Sequence, residues 1–279
     1  VDGFAKMGTI ANSINLILEG KEQQHSDKDA DIDRYDIELQ DVKFGYDEEK
    51  EILHGISLNI MEGSTVAFVG SSGSGKSTVF NIISGNLMPN KGKVFIDGKE
   101  TTGETGHVSY MLQKDLLFDH MKVVDNAALA LRIKGMDKKE ARKTASGLFK
   151  EFGLENQEDK YPRELSGGMR QRVALLRTYL NKEPLILLDE PFSALDKLTK
   201  DKLHNWFLGI IKKYEMTGIF ISHDIDEAIY LSDRILILKT DGKLHDQVII
   251  KEKNRDEQFK LSDEFLNYKR EIAKKLEDS

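Results

Sequence analysis

Residues 70–77 constrain the possible fold of this chain more than any other segment. They read Gly-Ser-Ser-Gly-Ser-Gly-Lys-Ser, follow the apolar run of residues 64–69 and precede a stretch with helical spacing. Glycines let such a loop curl so that successive backbone N–H groups point at phosphate oxygens. The positive end of a following helix adds to that attraction. We therefore predict a strand, a phosphate-binding loop and a helix over residues 77–84, in this order.

The side chains of this loop have distinct predicted roles. Lys76 is placed to reach the β- and γ-phosphates of a nucleotide, and the Ser77 hydroxyl is placed to ligate Mg²⁺. A flexible Gly/Ser turn is the structural alternative for a segment of this composition. The other residues predicted to contact the nucleotide are Gly70, Ser71, Ser72, Gly73, Ser74, Gly75 and Thr78.

Two acids, Asp189 and Glu190, follow the apolar run of residues 185–188. Acids at the C-terminal end of a parallel strand face the crevice where α/β proteins bind ligands. Asp189 is predicted to hold Mg²⁺ through water, and Glu190 to polarise an attacking water as a general base. Together with the phosphate-binding loop, they indicate a P-loop nucleoside triphosphatase that uses Mg²⁺. GTP is not expected, because residues 181–184 lack the aspartate of the guanine-binding motif.

Strand patterns cover residues 36–44 and 56–60 in the earlier part of the chain. In the later part, strand patterns at residues 185–188, 218–222 and 234–238 are separated by helical stretches. Such alternation predicts an α/β fold with a parallel sheet and crossover helices. We divide the chain into an N-terminal helix with a charged linker (1–35), a nucleotide-binding domain (36–240) and a C-terminal hairpin and helix extension (241–279). A helical subdomain is expected at about residues 114–180.

Composition excludes several classes of function. The chain carries 41 Lys and Arg against 48 Asp and Glu, a net charge of −7. A uniformly basic surface for nucleic acid is therefore not expected. The chain has no cysteine, which excludes thiol catalysis and cysteine-based zinc sites. No apolar run approaches the ~18 residues that suffice to span a bilayer.

Residues 165–172 read Leu-Ser-Gly-Gly-Met-Arg-Gln-Arg. A Ser-Gly-Gly turn that opens a helix, here expected over residues 169–180, makes a second anion site of backbone amides. The segment resembles the signature motif of the ATP-binding cassette (ABC) family. The resemblance implies that Ser166, Gly167 and Gly168 of one copy close over the ATP held by a second copy. An ordinary helix cap at Ser166 is the structural alternative.

The resemblance extends over about residues 36–238 and implies roles for four further residues. Tyr46 resembles the aromatic residue that stacks on adenine, and Gln113 resembles the glutamine that contacts Mg²⁺ and water. Asp196 resembles the last residue of a loop at the dimer interface, and His223 the histidine that contacts the γ-phosphate. The implied fold is a P-loop core with a RecA-like mixed sheet and helices, an antiparallel β subdomain and an inserted helical subdomain.

Two parts of the chain resemble different branches of this family. Residues 114–240 are similar to importer ATPase subunits of the nitrate/sulfonate/taurine branch, whereas residues 10–59 look more like an exporter. The resemblance implies an ATPase that pairs with a second copy and with transmembrane permease subunits, peripheral to the cytoplasmic face of the cell membrane. We favour import. A domain cut from an exporter, or a hybrid, is the alternative, since the chain begins at Val1.

Three other functions compete with transport. Soluble ABC ATPases of DNA repair or translation usually carry long coiled coils or tandem cassettes, whereas this chain has one phosphate-binding loop and no sustained heptads. A P-loop kinase needs an acceptor pocket and no signature motif. A dimerisation module without activity would not need Lys76, Asp189 and Glu190. Transport therefore accounts for the motifs best.

Overall fold

The computed structural model describes residues 37–47, 50–193, 195–213 and 216–277. The predicted N-terminal helix and linker, residues 1–35, lie outside this part. The strands are β1 (Ile37–Asp47), β2 (Lys50–Ile60), β3 (Thr65–Val69), β4 (Lys91–Ile96), β5 (Lys99–Glu100), β6 (Ser109–Met111), β7 (Leu185–Asp189), β8 (Thr217–Ile221), β9 (Arg234–Leu238) and β10 (Leu244–Ile249). The helices are α1 (Lys76–Ile83), α2 (Val123–Ala127), α3 (Leu129–Ile133), α4 (Lys138–Ser146), α5 (Gly167–Tyr179), α6 (Lys197–Lys213), α7 (Ile225–Leu231), α8 (Glu257–Lys260) and α9 (Asp263–Glu277).

A six-stranded sheet in the order β10-β9-β3-β8-β7-β6 lies at the centre of the described fold. Its strands pair in parallel from β9 to β6, and β10 pairs antiparallel with β9. Every residue of β3, β7 and β8 is buried. Strands covered on both faces need continuous apolar runs, which is the pattern that the sequence shows. The predicted parallel sheet is confirmed.

Two hydrophobic cores lie on opposite faces of this sheet. Ala67 and Val69 belong to one core, and Val66 and Phe68 to the other, because successive side chains of a strand point to opposite faces. The first core holds apolar residues of α2 to α9. The second core holds α1 and the inner residues of a separate sheet. The phosphate-loop helix is thereby packed between two sheets.

That separate sheet is antiparallel, with the strand order β2-β1-β4-β5. Ile37, Leu39 and Val42 of β1 are buried, and the residues between them are more exposed. β2 begins at Lys50, six residues before the predicted start, because its additional residues pair with the extended end of β1. The antiparallel subdomain expected from the family resemblance is confirmed.

Helices α2 to α5 connect β6 to β7 and bury Phe149 and Phe152. Helix α5 begins at Gly167, two residues earlier than predicted, because the Ser166 hydroxyl caps it by accepting the Met169 N–H at 3.3 Å. Helix α1 likewise begins one residue early, at Lys76. Capping and local geometry, which periodicity does not show, set both starting points.

The C-terminal part packs against the first core. Phe259, Phe265 and Ile272 are buried there. Lys269 forms an ion pair with Asp226 of α7 at 2.7 Å, so α9 is attached to the first core by apolar contacts and to α7 by a charged contact. Among the described helices, none combines the length and the apolar character needed to cross a membrane.

We predict that Phe80→Ala destabilises the fold strongly. Phe80 is fully buried on α1, and its ring lies 5.8 Å from that of Phe68 and 6.0 Å from that of Tyr110. Removal of such a ring costs about 3–5 kcal/mol of unfolding free energy, measurable by urea denaturation. Phe118→Ala is the matched control, because Phe118 is 46% exposed. Equal losses in the two variants would contradict the described packing.

Candidate active site

The carboxyl ends of the parallel strands meet at one edge of the central sheet. A cavity of about 310 Å³ lies at this edge. It brings together predicted residues from four separate segments of the chain. Its lining residues are Ile52, Ser72, Gly73, Gly75, Lys76, Ser77, Thr78, Gln113, Glu190, Ile221 and His223.

The phosphate-binding loop depends on glycine at defined positions. Gly73 and Gly75 have φ angles of 83° and 94°, a left-handed conformation that glycine adopts without a steric penalty. A Cβ atom at Gly75 would lie 2.6 Å from Leu53 Cδ2. A Cβ atom at Gly73 would meet no atom within 4 Å, so this part of the backbone is open to a ligand. The loop fits the predicted phosphate cradle.

Lys76 is nearly buried, with 5% of its surface exposed. Its ammonium donates to the carbonyl oxygens of Gly70 and Ser71, both at 2.8 Å, and to Ser74 Oγ at 3.2 Å. Burial lowers the pKa of Lys76, and the charges of Glu190 and Asp189 oppose that shift. A buried ammonium needs partners for its donors. To reach phosphate oxygens, Lys76 must exchange some of these loop contacts.

Oxygen ligands suited to Mg²⁺ converge beside this lysine. Burial raises the pKa of Asp189, and the bond from the Ser77 side chain acts in the opposite direction. Ser77 and Gln113 line the cavity. In the described part of the chain, no group of three or more His, Cys, Asp or Glu residues could hold a metal. Mg²⁺ usually binds one or two carboxylates together with substrate phosphates, so a hydroxyl, a carboxylate and an amide fit it.

Glu190 and His223 are in direct contact. His223 Nε2 donates to Glu190 Oε1 at 2.7 Å. The backbone of Glu190 is left-handed, with φ of 50°, which is uncommon for a residue other than glycine. Its N–H donates to Ile221 O at 3.1 Å, and its carbonyl oxygen accepts from Gln171 Nε2 at 2.8 Å. Contacts on both sides therefore hold the glutamate in an unusual conformation.

The role of Gln171 was not predicted from the sequence. Gln171 lies on α5 and is nearly buried, and through Glu190 it joins the signature helix to the candidate general base. The only available signal was a polar residue on a helix that also carries buried apolar residues. That signal indicates burial but does not identify a partner 19 residues away.

The signature residues lie outside the cavity described above. Ser166 and Gly167 are exposed, and Gly168 is half-buried, at the N-terminus of α5. The first N–H groups of a helix have no partner within the helix, and this end carries a partial positive charge. The geometry presents an anion-binding helix end on the surface of one copy.

Tyr46 and Asp196 also lie outside that cavity. Tyr46 is 70% exposed at the end of β1, with its ring 5.0 Å from that of Phe44. Asp196 is exposed before α6, and its carboxylate accepts the Thr199 N–H at 3.1 Å. Hydrogen bonds from Thr199 lower the pKa of Asp196. The predicted role of Tyr46 concerns a bound nucleotide, and that of Asp196 concerns a second copy of the chain.

The sequence of this chain matches one protein-family model and is similar to import ATP-binding proteins. The family model described as ABC transporter matches residues 53–193. The formylaminopyrimidine import ATP-binding protein ThiZ of Halalkalibacterium halodurans is 41% identical over 209 residues, which are 75% of this chain and 81% of ThiZ. The nitrate import ATP-binding protein NrtD of Synechocystis sp. is 36% identical over 232 residues, 80% of this chain and 87% of NrtD.

A dimeric solved structure is also similar to this chain. The structure of MJ0796, a bacterial ABC transporter cassette, aligns with a TM-score of 0.72 and 32% identity over 77% of this chain and 99% of the cassette. The same cassette in a dimeric post-hydrolysis state, bound to ADP and Pi, aligns with a TM-score of 0.71. The similarity confirms the predicted fold class.

We predict that Gly75→Ala weakens ATP binding at least tenfold. The added Cβ conflicts with Leu53, and a left-handed alanine costs about 1–2 kcal/mol, so the loop amides must shift. Gly98→Ala is the control, because Gly98 has φ of 69°, has open space around it and is not among the cavity's lining residues. Titration with a fluorescent ATP analogue measures both affinities. Equal affinities of Gly75→Ala and the unaltered chain would contradict the loop geometry.

Proposed function

The chain belongs to the ABC transporter family as an ATP-binding subunit, and from this premise we propose how its residues hydrolyse ATP and power transport. In this proposal two copies pair head to tail, close over two ATP molecules and drive import of a solute through permease subunits. One observation carries the proposal: Lys76, Gln113, Glu190 and His223 share one cavity, whereas the signature helix end lies outside it. Each copy then supplies what the other lacks.

ATP binding uses backbone amides more than charged side chains. The amides of the loop and of the first turn of α1 face the phosphates, and Lys76 exchanges its carbonyl contacts for phosphate oxygens. Tyr46 stacks on the adenine ring. Ser77, Asp189 and Gln113 would hold Mg²⁺, which neutralises charge on the phosphates when it is bound. Amide binding explains how a chain with a net charge of −7 can bind a polyanion.

Hydrolysis requires a base beside the γ-phosphate. Glu190 accepts a proton from water, the water oxygen bonds to the γ-phosphorus, and the bond from phosphorus to the ADP oxygen breaks. An ionised carboxylate has about four acceptor positions, so Glu190 can accept from water, while His223 exchanges its contact with Glu190 for a phosphoryl oxygen. Lys76 and His223 stabilise the charge that develops on the phosphoryl oxygens.

The second copy completes the pocket. The α5 N-terminus of the partner subunit, with Ser166 and the two following glycines, supplies amide donors and a positive dipole end to the γ-phosphate. Asp196 lies at the same interface. In a two-fold dimer this contact occurs twice, because each subunit presents the same surfaces to the other. A dimeric relative of the same fold supports the arrangement.

The transport assignment depends on the relatives. ThiZ and NrtD are import ATP-binding proteins, which supports import and a peripheral position at the cytoplasmic face of the cell membrane. In the proposed division of the chain, residues 36–240 form the ATPase domain with a helical subdomain at about 114–180, and residues 241–279 form an extension. The exporter alternative depends on residues 10–59, of which 10–36, 48 and 49 lie outside the described residues. We do not propose a role with nucleic acid.

We predict that Glu190→Gln abolishes turnover and leaves ATP binding intact. Loss of a general base costs at least about a hundredfold in rate, whereas an amide of the same shape keeps the pocket. The variant therefore accumulates as an ATP-bound dimer, visible by size-exclusion chromatography, while phosphate release stops. Glu183→Gln, at the other end of β7 and paired with Lys134 at 2.5 Å, is the control. Undiminished phosphate release by Glu190→Gln would refute the base assignment.

A further inference from the structure

A buried histidine–carboxylate pair lies between helices α6 and α7. His204 Nε2 donates to Glu227 Oε1 at 3.0 Å. The two residues are 4% and 5% exposed, and neither belongs to the lining of the ATP cavity. Burial of a carboxylate is costly unless hydrogen bonds satisfy its oxygens. The contacts of this pair lead to two loops of the candidate active site.

The first connection runs from Glu227 to the loop that carries His223. The Ser222 hydroxyl donates to Glu227 Oε2 and accepts the Asp224 N–H at 3.0 Å. Ser222 is itself buried. The residues immediately before and after His223 are therefore attached to the same carboxylate, Asp224 through the Ser222 hydroxyl. The position of Glu227 sets the position of the His223 backbone.

The second connection runs from His204 to the segment that carries Glu190. The His204 ring lies 4.7 Å from the ring of Phe192, at an interplanar angle of 78°. Phe192 is fully buried two residues after Glu190. Asp196, the predicted interface residue, begins the helix that bears His204, because its carbonyl oxygen accepts the Lys200 N–H at 2.8 Å. A shift of this segment is transmitted to His204 by direct contact.

A lysine of α6, Lys200, lies beside the two carboxylates of this region. Lys200 Nζ lies 3.6 Å from Glu227 Oε1 and 3.3 Å from Asp224 Oδ2. Glu227 thus accepts hydrogen bonds from His204 and Ser222 and lies close to the Lys200 ammonium, so its charge has partners within the described chain. Networks of this kind are rigid when every member has a partner, and removal of one member affects the rest.

We propose that His204 is a positioning residue for ATP hydrolysis. Through Glu227 and Ser222, it couples the segment from Glu190 to Asp196, at the dimer interface, to the loop that presents His223 to the γ-phosphate. Closure of the second copy on Asp196 then aligns His223 at the same time as Glu190. The inference rests on the proposed roles of Glu190 and His223.

The test compares His204→Leu with His204→Gln. Leucine fills the space but cannot donate, so turnover at saturating ATP falls about tenfold, since small displacements of catalytic groups have large rate effects. The KM for ATP stays close to that of the unaltered chain, because the ATP contacts remain. Glutamine restores turnover, since its amide N–H can donate to Glu227. A fall in turnover without a change in the KM for ATP shows that the substitution disturbs the alignment of catalytic groups and not the binding of ATP.

His107→Leu is the matched control. His107 Nε2 lies 3.2 Å from Glu104 Oε2, and its side chain is 12% exposed. This histidine–glutamate pair precedes β6, at the sheet edge opposite to the ATP cavity. Its removal leaves both turnover and KM unchanged. A loss of turnover in this control equal to that of His204→Leu would show that any such pair matters only for folding.

Three outcomes overturn the proposal. These are undiminished turnover of His204→Leu, a parallel rise in KM, or a loss that His204→Gln does not restore. If His204→Leu is insoluble, Ser222→Ala takes its place: it removes the hydroxyl that joins Glu227 to the loop of His223, and undiminished turnover again refutes the coupling. Glu190→Gln and His223→Ala are measured in parallel. If these two variants lose turnover and His204→Leu does not, only the coupling fails, whereas undiminished turnover in both refutes the proposed function itself.

Discussion

Parallel pairing of β3, β8, β7 and β6 decides where the candidate catalytic residues lie. Asp189 pairs with Ile221 and Met111 with Leu188, so residues just beyond these strand ends emerge side by side. Glu190, Gln113 and His223 meet there because of strand register and not because of attraction between them. The two cores specify that register, because the buried side chains on both faces of these strands are close-packed against particular neighbours. Packing of the core therefore places the polar site.

The site contains two partly desolvated charges, on Lys76 and Asp189, and a strained backbone at Glu190. Burial lowers the pKa of Lys76, and the charges of Glu190 and Asp189 oppose that shift. Burial raises the pKa of Asp189, and the hydrogen bond from Ser77 and the charge of Lys76 oppose that shift. Glu190 has a left-handed backbone, which costs of order 1 kcal/mol or more at a residue other than glycine. Contacts from Gln171 and Ile221 stabilise it. The helical region is thereby connected to the base without contacting the substrate.

The sequence predicted the residues that line the site better than the buried contacts that hold them in place. Local pattern predicted roles for Lys76 in the loop and for Glu190 at a strand end, whereas the role of His223 came from the family resemblance. The contacts of Gln171 with Glu190 and of His204 with Glu227 join residues 19 and 23 positions apart on separate elements of the fold. Periodicity shows that such residues face inward, but three-dimensional packing decides which residues they meet. The predicted starts of helices α1 and α5 lie one and two residues after the observed starts for a related reason. Side-chain caps and loop geometry set these starts, and periodicity does not show them.

We propose that each ATP site is shared between two copies. Mixing two inactive variants tests it directly. Lys76→Ala removes the phosphate-binding lysine, and Gly168→Asp places negative charge at the signature helix end, where an anion must bind. A mixed dimer retains one site with both parts unaltered, so ATP hydrolysis, absent from each variant alone, must return when the two are mixed. If the mixture stays inactive although mixed dimers form, the shared site is contradicted.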